Sequence, residues 1–256
     1  MTPWGKARCG GYADRLGDTP TLLFLDPWGY KGLSLDEIGR FIGPWGSECI
    51  FFFNYRRVNA ALSNPMLADP VNALFGTDVA DGLRASLDTT NSVAERERLI
   101  LQTLRSSLVS TYGKHVLWFR LVAPAQGADY YLVHVTKAWK GYEVMRDIMD
   151  RQSSSRDDFG VSTFGYNPSG QRSFFVLYDS LPELETSLVA DFAGRTLMVR
   201  EIFRRHSEGR MFVMRNYRDA IRALETADKV KCDPPREKRK AGTLAPAVMV
   251  SFKRER

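Results

Sequence analysis

Apolar runs that alternate with amphipathic stretches predict an α/β arrangement for the first part of the chain. The continuous apolar run from Thr21 to Leu25 is typical of a strand that is buried on both faces. Ser34 then occupies the place of an N-cap for a helix over Leu35 to Ile42, and a second strand is predicted from Glu48 to Tyr55. Because strand–helix–strand crossovers are right-handed, the two strands should be parallel neighbours whose carboxyl ends share one rim.

A long helix and an antiparallel strand pair are predicted next. The apolar spacing indicates a helix over Val93 to Thr111 and strands over His115 to Val122 and Tyr130 to Thr136. A parallel return needs roughly a dozen or more connecting residues, and the connection between these strands is shorter. The order resembles the closing half of a Rossmann-like methyltransferase sheet, and a helix over Lys137 to Gln152 follows it.

The pattern changes to helices after residue 180, where we expect a winged-helix domain over residues 181–256 behind an α/β domain over residues 1–180. A winged helix is a helix-turn-helix variant with a strand hairpin, and it binds with its last helix and the connection of the hairpin. The predicted elements are helices over Pro182 to Phe192, Thr196 to Ser207 and Asn216 to Thr226, and strands over Lys229 to Cys232 and Ala247 to Lys253.

Charge is distributed unevenly between these parts. The whole chain has a net charge of +6, but the segment from Arg195 to Arg256 holds 17 Lys and Arg against 8 Asp and Glu. An asymmetry of this kind favours an anionic partner for the basic segment, most often nucleic acid. A solvated basic surface is the alternative interpretation of the same charges.

Six basic residues are the predicted nucleic-acid contacts. Three of them recur at near-helical spacing on the predicted recognition helix, and three lie in the connection between the two strands, where they should meet phosphates. They are Arg215, Arg218, Arg222, Lys238, Arg239 and Lys240. The alternatives are a winged helix that contacts another protein and one that packs against the first domain.

A short polar motif at the end of the first strand is the candidate catalytic site. Asp26, Pro27, Trp28 and Gly29 resemble the catalytic loop of amino-methyltransferases, with Asn54 at the end of the neighbouring strand. An acid can accept from an exocyclic amine, and an aromatic ring can stack on a base. Ligands of open α/β sheets bind at this end of the strands. An ordinary strand-to-loop turn explains the same residues without chemistry.

Composition limits the other classes of function. No apolar stretch approaches the roughly 20 residues of a membrane span, and the first residues lack the apolar core of a signal peptide, so a cytoplasmic location is expected. The cysteines and histidines show no paired spacing, and neither a disulfide framework nor a metal site is expected. These residues are Cys9, Cys49, Cys232, His115, His134 and His206.

The motifs together resemble the three-Cys-motif partner (TcmP) family over nearly the whole chain. The residues that carry the resemblance are Leu25 to Gly32, Phe53 to Tyr55, Tyr130 to Thr136, Lys140 and Gly141, Tyr217 to Glu225, Asp233 to Pro235, Lys238 to Lys240 and Val250 to Phe252. The resemblance implies a methyltransferase-like domain that uses S-adenosylmethionine, a C-terminal winged helix and a partner protein that carries three cysteines. The catalytic loop is also similar to that of tRNA guanine-N2 dimethyltransferases, which favours a base as acceptor.

The chain departs from this family before Thr21. Family members begin with a strand that ends in a glycine-rich turn for the cofactor, and no apolar strand leads into Gly10 and Gly11. The cofactor-binding residues are therefore unassigned, and a shortened reading frame, a domain or one half of a split protein are the expected explanations. An incomplete sheet should also expose an apolar edge and favour self-association or a partner chain.

Three functional hypotheses follow from the sequence. The first is a nucleic-acid base methyltransferase that needs complementation, and the second is a non-catalytic module that brings a partner to nucleic acid through its winged helix. The third is a structural subunit in which Asp26 only forms a turn. Acceptor base and the choice between DNA and RNA are left open.

Overall fold

The computed structural model describes residues 19–26, 33–123, 128–154, 156, 161–167 and 180–254. The chain divides into two compact units, one of Met1–Ser154 with Phe164–Phe175 and the other of Ser155–Thr163 with Val176–Arg256. Residues 168–179 lie outside the described part, so the domain boundary between residues 180 and 181 stays a prediction. No helix in the described ranges is long and apolar enough to cross a bilayer.

The first unit combines a mixed sheet with helices. Its strands are β1 (Leu22–Leu25), β2 (Glu48–Asn54), β3 (His115–Ala123), β4 (Ala128–Thr136) and β5 (Gly165–Tyr166). Its helices are α1 (Leu35–Ile42), α2 (Tyr55–Leu62), α3 (Ala68–Phe75), α4 (Thr77–Asp88), α5 (Val93–Thr111) and α6 (Trp139–Gln152), with a 3₁₀ turn at Pro65–Leu67.

The strand order of this sheet is β1-β2-β4-β3-β5. β1 pairs in parallel with β2, with Leu25 opposite Phe51, and β4 runs antiparallel to both β2 and β3. β3 pairs in parallel with β5. The predictions of a parallel first pair and an antiparallel second pair are both confirmed.

Local sequence explains where α1 begins. The Ser34 side chain accepts a hydrogen bond from the Glu37 backbone N–H at 3.2 Å, which satisfies one of the donors that a helix start leaves open. Asp36 and Glu37 lie in the first turn, where the helix dipole favours acidic groups. The predicted N-cap and the predicted bounds of this helix are confirmed.

One face of the sheet carries most of the core of this unit. Cys49, Phe51 and Phe53 of β2 point to that face and are fully buried in a cluster with side chains of α1 to α5. Alternate residues of a strand lie on opposite faces, and Phe52 is accordingly half-buried on the other face, where it contacts Phe24 edge to face at 5.7 Å. The three phenylalanines of β2 therefore have packing roles.

The second unit contains three helices and a small antiparallel sheet. Its elements are α7 (Leu181–Phe192), β6 (Thr196–Met198), α8 (Val199–His206), α9 (Met214–Thr226), β7 (Val230–Asp233) and β8 (Met249–Phe252), with a 3₁₀ turn at Arg236–Lys238. The strand order is β6-β8-β7, and residues 234–248 form the β7–β8 loop. Ser180 caps α7 together with Glu183 in a reciprocal capping box.

The predicted helix over Thr196 to Ser207 is wrong at its start. Residues 196–198 form β6, which pairs with β8 through Thr196 opposite Ser251 and Met198 opposite Met249. The backbone groups of these residues form hydrogen bonds with β8, which lies about 50 residues later in the chain. The local sequence pattern does not indicate such a distant partner. The expected two-stranded hairpin is therefore a three-stranded sheet.

Candidate nucleic-acid interface and strand-end site

Helix α9 forms because one of its faces is apolar along its whole length. Tyr217, Ala220, Ile221 and Leu224 are buried, at the spacing of one helical face. Asn216 closes the amino end of the helix by accepting a hydrogen bond from the Val213 backbone N–H at 2.9 Å. The three predicted arginines lie outside this buried face.

The three predicted arginines of α9 differ in exposure and in partners. Arg215 is exposed and Arg218 is half-buried. Arg222 is held on two sides, since one of its nitrogens pairs with Asp219 and the other donates to the backbone carbonyl of Gly242 in the β7–β8 loop. Arg222 therefore connects the helix to the loop.

The basic residues of the β7–β8 loop are also of two kinds. Lys238 and Lys240 are exposed, as predicted. The Arg239 side chain is only 7% exposed and pairs with Glu225 of α9, whose side chain is 14% exposed. Arg239 is therefore held against a carboxylate within the unit and is less exposed than the two lysines, and its contact with phosphate stays a prediction.

A buried thiol lies beside this ion pair. Burial raises the pKa of Cys232 to about 12, with a further contribution in the same direction from the charge of Glu225. Burial also raises the pKa of Cys49 to about 12. Both thiols stay protonated at neutral pH, and within the described ranges no cluster of three or more His, Cys, Asp or Glu is placed to hold a metal ion.

Two hollows lie between α9 and the β7–β8 loop, and Arg222 and Gly242 line both of them. The larger has a volume of about 550 Å³, and its charged lining residues are Arg222, Glu225, Arg236, Arg239 and Lys240. The smaller has a volume of about 350 Å³, and its charged lining residues are Arg215, Arg218, Asp219 and Arg222. In both hollows the cations outnumber the carboxylates.

His206 joins the three helices of this unit. Its Nδ1 lies 2.8 Å from the Tyr217 hydroxyl of α9, and its Nε2 lies 3.3 Å from a carboxylate oxygen of Asp191 in α7. Burial lowers the pKa of His206 to about 4; the charge of Arg210 adds to this shift and that of Asp191 opposes it. The imidazole is therefore neutral at pH 7 and acts as a structural link between the helices.

The strand-end residues of the first unit lie at one end of the sheet. Asp26 directly follows Leu25 of β1, which is level with Phe51, and Asn54 ends the parallel strand β2. Asp26 is exposed, whereas Asn54 is 8% exposed. Pro27, Trp28 and Gly29 lie outside the described residues, so their placement in this site stays a prediction.

Asn54 has a structural role that the sequence analysis did not assign. Its side-chain oxygen accepts a hydrogen bond from the Arg57 backbone N–H at 3.0 Å and so caps α2, which begins at the next residue. Asn is among the preferred N-cap residues, and the change from strand to helix at this position was the missed signal. The cap occupies the amide oxygen that an acceptor pocket would otherwise use.

A buried polar cluster beneath the same end of the sheet was missed as well. The Tyr131 hydroxyl of β4 donates to the Glu97 carboxylate of α5, and Arg120 of β3 lies 3.6 Å from the same carboxylate. Glu97 is 5% exposed. Its position three residues before Ile100 places it on the buried face of α5, and this spacing was the available signal.

A second missed cluster explains one of the sequence motifs. Glu48 of β2 receives hydrogen bonds from His134 at 2.8 Å and from the Thr136 hydroxyl at 3.1 Å. The hydrogen bond from His134 lowers the Glu48 pKa. A Cβ on Gly141 would lie 1.9 Å from the same carboxylate, so a side chain at this position would displace Glu48 from His134 and Thr136.

A family model for the GMT-like wHTH domain matches residues 165–237. The second unit contains a winged helix. α9 has the place of its recognition helix, and the β7–β8 loop has the place of its wing. The family model covers less than a third of the chain, and residues 1–164 lie outside the match. No curated protein and no solved structure matches the chain.

Proposed function

We propose that the winged helix binds nucleic acid through α9 and the β7–β8 loop. The observation that carries the proposal is the pair of hollows between these elements, in which cations outnumber carboxylates. Phosphates supply most of the affinity of such surfaces, because each neutralised phosphate releases counterions. The links from Arg222 to Gly242 and from Arg239 to Glu225 support the proposal, since they fix the loop on the helix before binding.

The proposed contacts are the basic residues that remain accessible on this surface. Arg215 and Arg218 line the smaller hollow, Arg236 and Lys240 line the larger one, and Lys238 is exposed beside it. Arg222 and Arg239 stabilise the surface from within. Phosphate contacts position a protein on nucleic acid without reading its sequence, so sequence preference depends on whether Arg218 reaches a base edge.

The salt dependence of binding tests this function. We expect the affinity for an oligonucleotide, measured by fluorescence anisotropy, to fall steeply with salt. Replacing Arg218, Lys238 and Lys240 with alanine should weaken binding to every sequence and reduce the salt slope by about one unit for each phosphate that the variant no longer neutralises. Lys231→Ala is the matched control, because Lys231 is exposed on β7 and lines neither hollow. Absence of binding to any duplex or single strand at low salt would favour a protein-contact role for the winged helix.

A second candidate function is base methylation by the first unit, in the manner of the three-Cys-motif partner family. The observation that favours it is the direction of the strands, because among the described strands of the sheet β4 alone runs opposite to the others and lies between β2 and β3. This arrangement supports the proposed Rossmann-like methyltransferase character. Asp26 would then accept a hydrogen bond from the exocyclic amine of a base at the strand ends.

S-adenosylmethionine would supply the methyl group in this second function. The junction of β2 and α2 provides no place for it, because β2 leads through Asn54 directly into α2 without a glycine at which a backbone could approach a cofactor. The residues that follow β1 after Asp26 lie outside the described part. We therefore assign no residue to the cofactor and derive no step through it. Calorimetric titration with S-adenosylmethionine, with and without a candidate complementing protein, tests cofactor use.

A partner for the first unit follows from the same proposal. β1 is an edge strand of the described sheet, and its Leu22 and Phe24 side chains are 61% and 56% exposed. Open apolar edges are templates for further strand pairing, either with a three-Cys-motif partner or with a second copy of the chain. We expect concentration-dependent association in sedimentation velocity, reduced by Phe24→Lys. If the wild-type chain and the Phe24→Lys variant are both monomers at high concentration, this expectation is contradicted.

A further inference from the structure

The larger hollow between α9 and the β7–β8 loop has an excess of positive charge. Within the described part of the chain, the charge of Arg239 is balanced by Glu225 and that of Arg222 by Asp219. Arg236 and Lys240 form no ion pair with any described residue, although both line the hollow. The hollow is therefore suited to an anion.

Arg239 also has hydrogen-bond donors that no described residue satisfies. One terminal nitrogen pairs with Glu225, but Nε and the other terminal nitrogen, Nη1, are buried without an acceptor in the described ranges. Buried donors nearly always have partners in native proteins, and an exception often marks a missing water or ion. An acceptor is thus missing from a residue that lines a cationic hollow.

A phosphate group fits these donors better than other common anions. The two unmatched nitrogens of Arg239 point to opposite sides of the guanidinium, so one phosphate oxygen can accept from one of them, and a phosphate has further oxygens for a lysine and a second arginine. The volume of about 550 Å³ lies within the range of roughly 300–1,000 Å³ that is typical of ligand pockets. The hollow has room for a phosphate together with its sugar.

We infer that this hollow, which we call the phosphate pocket, takes one phosphate group of a bound nucleic acid. Arg236 and Lys240 hold it from the exposed side, and Arg239 donates one of its unmatched N–H groups from the buried side. The choice of nucleic acid as the source rests on the proposed function, because the pocket is bounded by the same helix and loop. Arg239 thereby has a binding role from inside the domain.

The pocket is built before the ligand arrives. The Arg222 link to the Gly242 carbonyl fixes one wall, and the Thr243 hydroxyl holds the adjacent turn by donating to the Lys240 carbonyl at 2.6 Å. Gly242 has a positive φ of 70°, a conformation that favours glycine. Because these residues are already ordered, binding costs little conformational entropy there, and this favours affinity.

Lys238 and Lys240 provide a matched pair for the experiment. Both are exposed lysines of the same loop, but only Lys240 lines the phosphate pocket. Oligonucleotide affinity is measured by fluorescence anisotropy for the full chain and for Lys240→Ala, Arg236→Ala and Lys238→Ala, with inorganic phosphate as competitor. In parallel, NMR follows the Arg239 Nε–H signal during titration with inorganic phosphate.

We expect Lys240→Ala and Arg236→Ala to weaken oligonucleotide binding about tenfold each, the effect of losing a hydrogen bond to a charged group. Lys238→Ala should weaken it less, since that lysine contributes only a screened charge. Inorganic phosphate should shift the Arg239 Nε–H signal and compete with the oligonucleotide for the wild-type protein. The competition should be lost in Lys240→Ala.

Two results would overturn the inference. If the wild-type chain binds oligonucleotides but the Lys238 and Lys240 variants behave alike and phosphate leaves the Arg239 signal unchanged, the pocket is wrong while the proposed function stands. If the wild-type chain binds no oligonucleotide at low salt, the proposed function fails and the pocket loses its ligand with it.

Discussion

The strand-end site and the surface of the winged helix were both predicted from sequence, and they differ in how many of their residues remain available. At the strand ends, the oxygen of Asn54 caps α2, while Asp26 is exposed. On the winged helix, Arg222 and Arg239 are held by partners within the unit, and the other four predicted cations line a hollow or are exposed. Among the described residues, one of the two strand-end side chains and at least two of the six cations are thus engaged within their own unit.

The physical reason lies in the chemistry of the two kinds of site. A catalytic motif requires particular atoms to be aimed at one point, so it is sensitive to the commitment of a single side chain. A phosphate-binding surface depends on the number of cations and tolerates the loss of one or two of them. An arginine also has five donors and can hold a carboxylate while it keeps donors for a ligand.

The largest expected effect concerns the buried ion pair of the winged helix. Arg239→Ala leaves Glu225 buried without its cation, which typically costs about 3–5 kcal/mol of unfolding free energy. Urea unfolding of the variant measures this loss. Lys253→Ala, which removes one partner of the exposed pair with Asp228, is the control and should leave the midpoint nearly unchanged. Equal effects of the two substitutions would show that Arg239 is not held as described.

The next effect is a dependence of winged-helix stability on pH through His206. Its folded pKa of about 4 lies below the unfolded value of 6.5, so unfolding takes up a proton between these values. The stabilisation is complete above pH 6.5 and is lost as the pH falls towards 4, with a slope of about 1.4 kcal/mol per pH unit.

Unfolding by urea at several pH values, compared with His206→Gln, isolates this contribution from the carboxylates that titrate in the same range. The glutamine variant should lack the extra slope between pH 4 and 6.5. Parallel curves for the two proteins would mean that His206 titrates alike in the folded and unfolded chain.

The smallest effect separates the two roles of Asn54. Asn54→Ala removes the cap of α2 and should cost about 1 kcal/mol, whereas Asn54→Asp keeps a capping oxygen and should be nearly neutral. Thermal unfolding measures both. If methyl transfer is obtained with a complemented enzyme, activity in the aspartate variant shows whether the amide itself is needed. If Asn54→Ala is as stable as the wild-type chain, the cap does not contribute to stability and does not explain why asparagine is present.

The elements that the sequence predicted correctly are those with local causes. The N-cap at Ser34, the bounds of α1 and α5, and the antiparallel pair of β3 and β4 follow from capping, helical periodicity and connection length. The burial of Ile221 and Leu224 on α9 follows from the same periodicity. Each of these features depends on residues within one or two turns of helix or one loop.

The features that the sequence did not reveal depended on distant partners. Residues 196–198 continue a helical pattern but form β6 on β8, and Arg239 is polar and charged but lies buried against Glu225 of another element. Glu97 has a buried place on α5 because Tyr131 and Arg120 of the sheet meet its carboxylate. The spacing of residues along the sequence does not predict which distant side chains will be in contact in the folded protein.

The sequence by itself determined the longer elements of both units, the parallel pair of β1 and β2, the antiparallel pair of β3 and β4, the basic character of the last part of the chain and the presence of a winged helix. These properties arise from periodicity, chain connectivity and charge, all of which are local. Tertiary structure alone decided which polar side chains are available for function. It committed the oxygen of Asn54 to a helix and placed Arg239 inside the domain, because hydrogen-bond partners and burial depend on how separate elements pack.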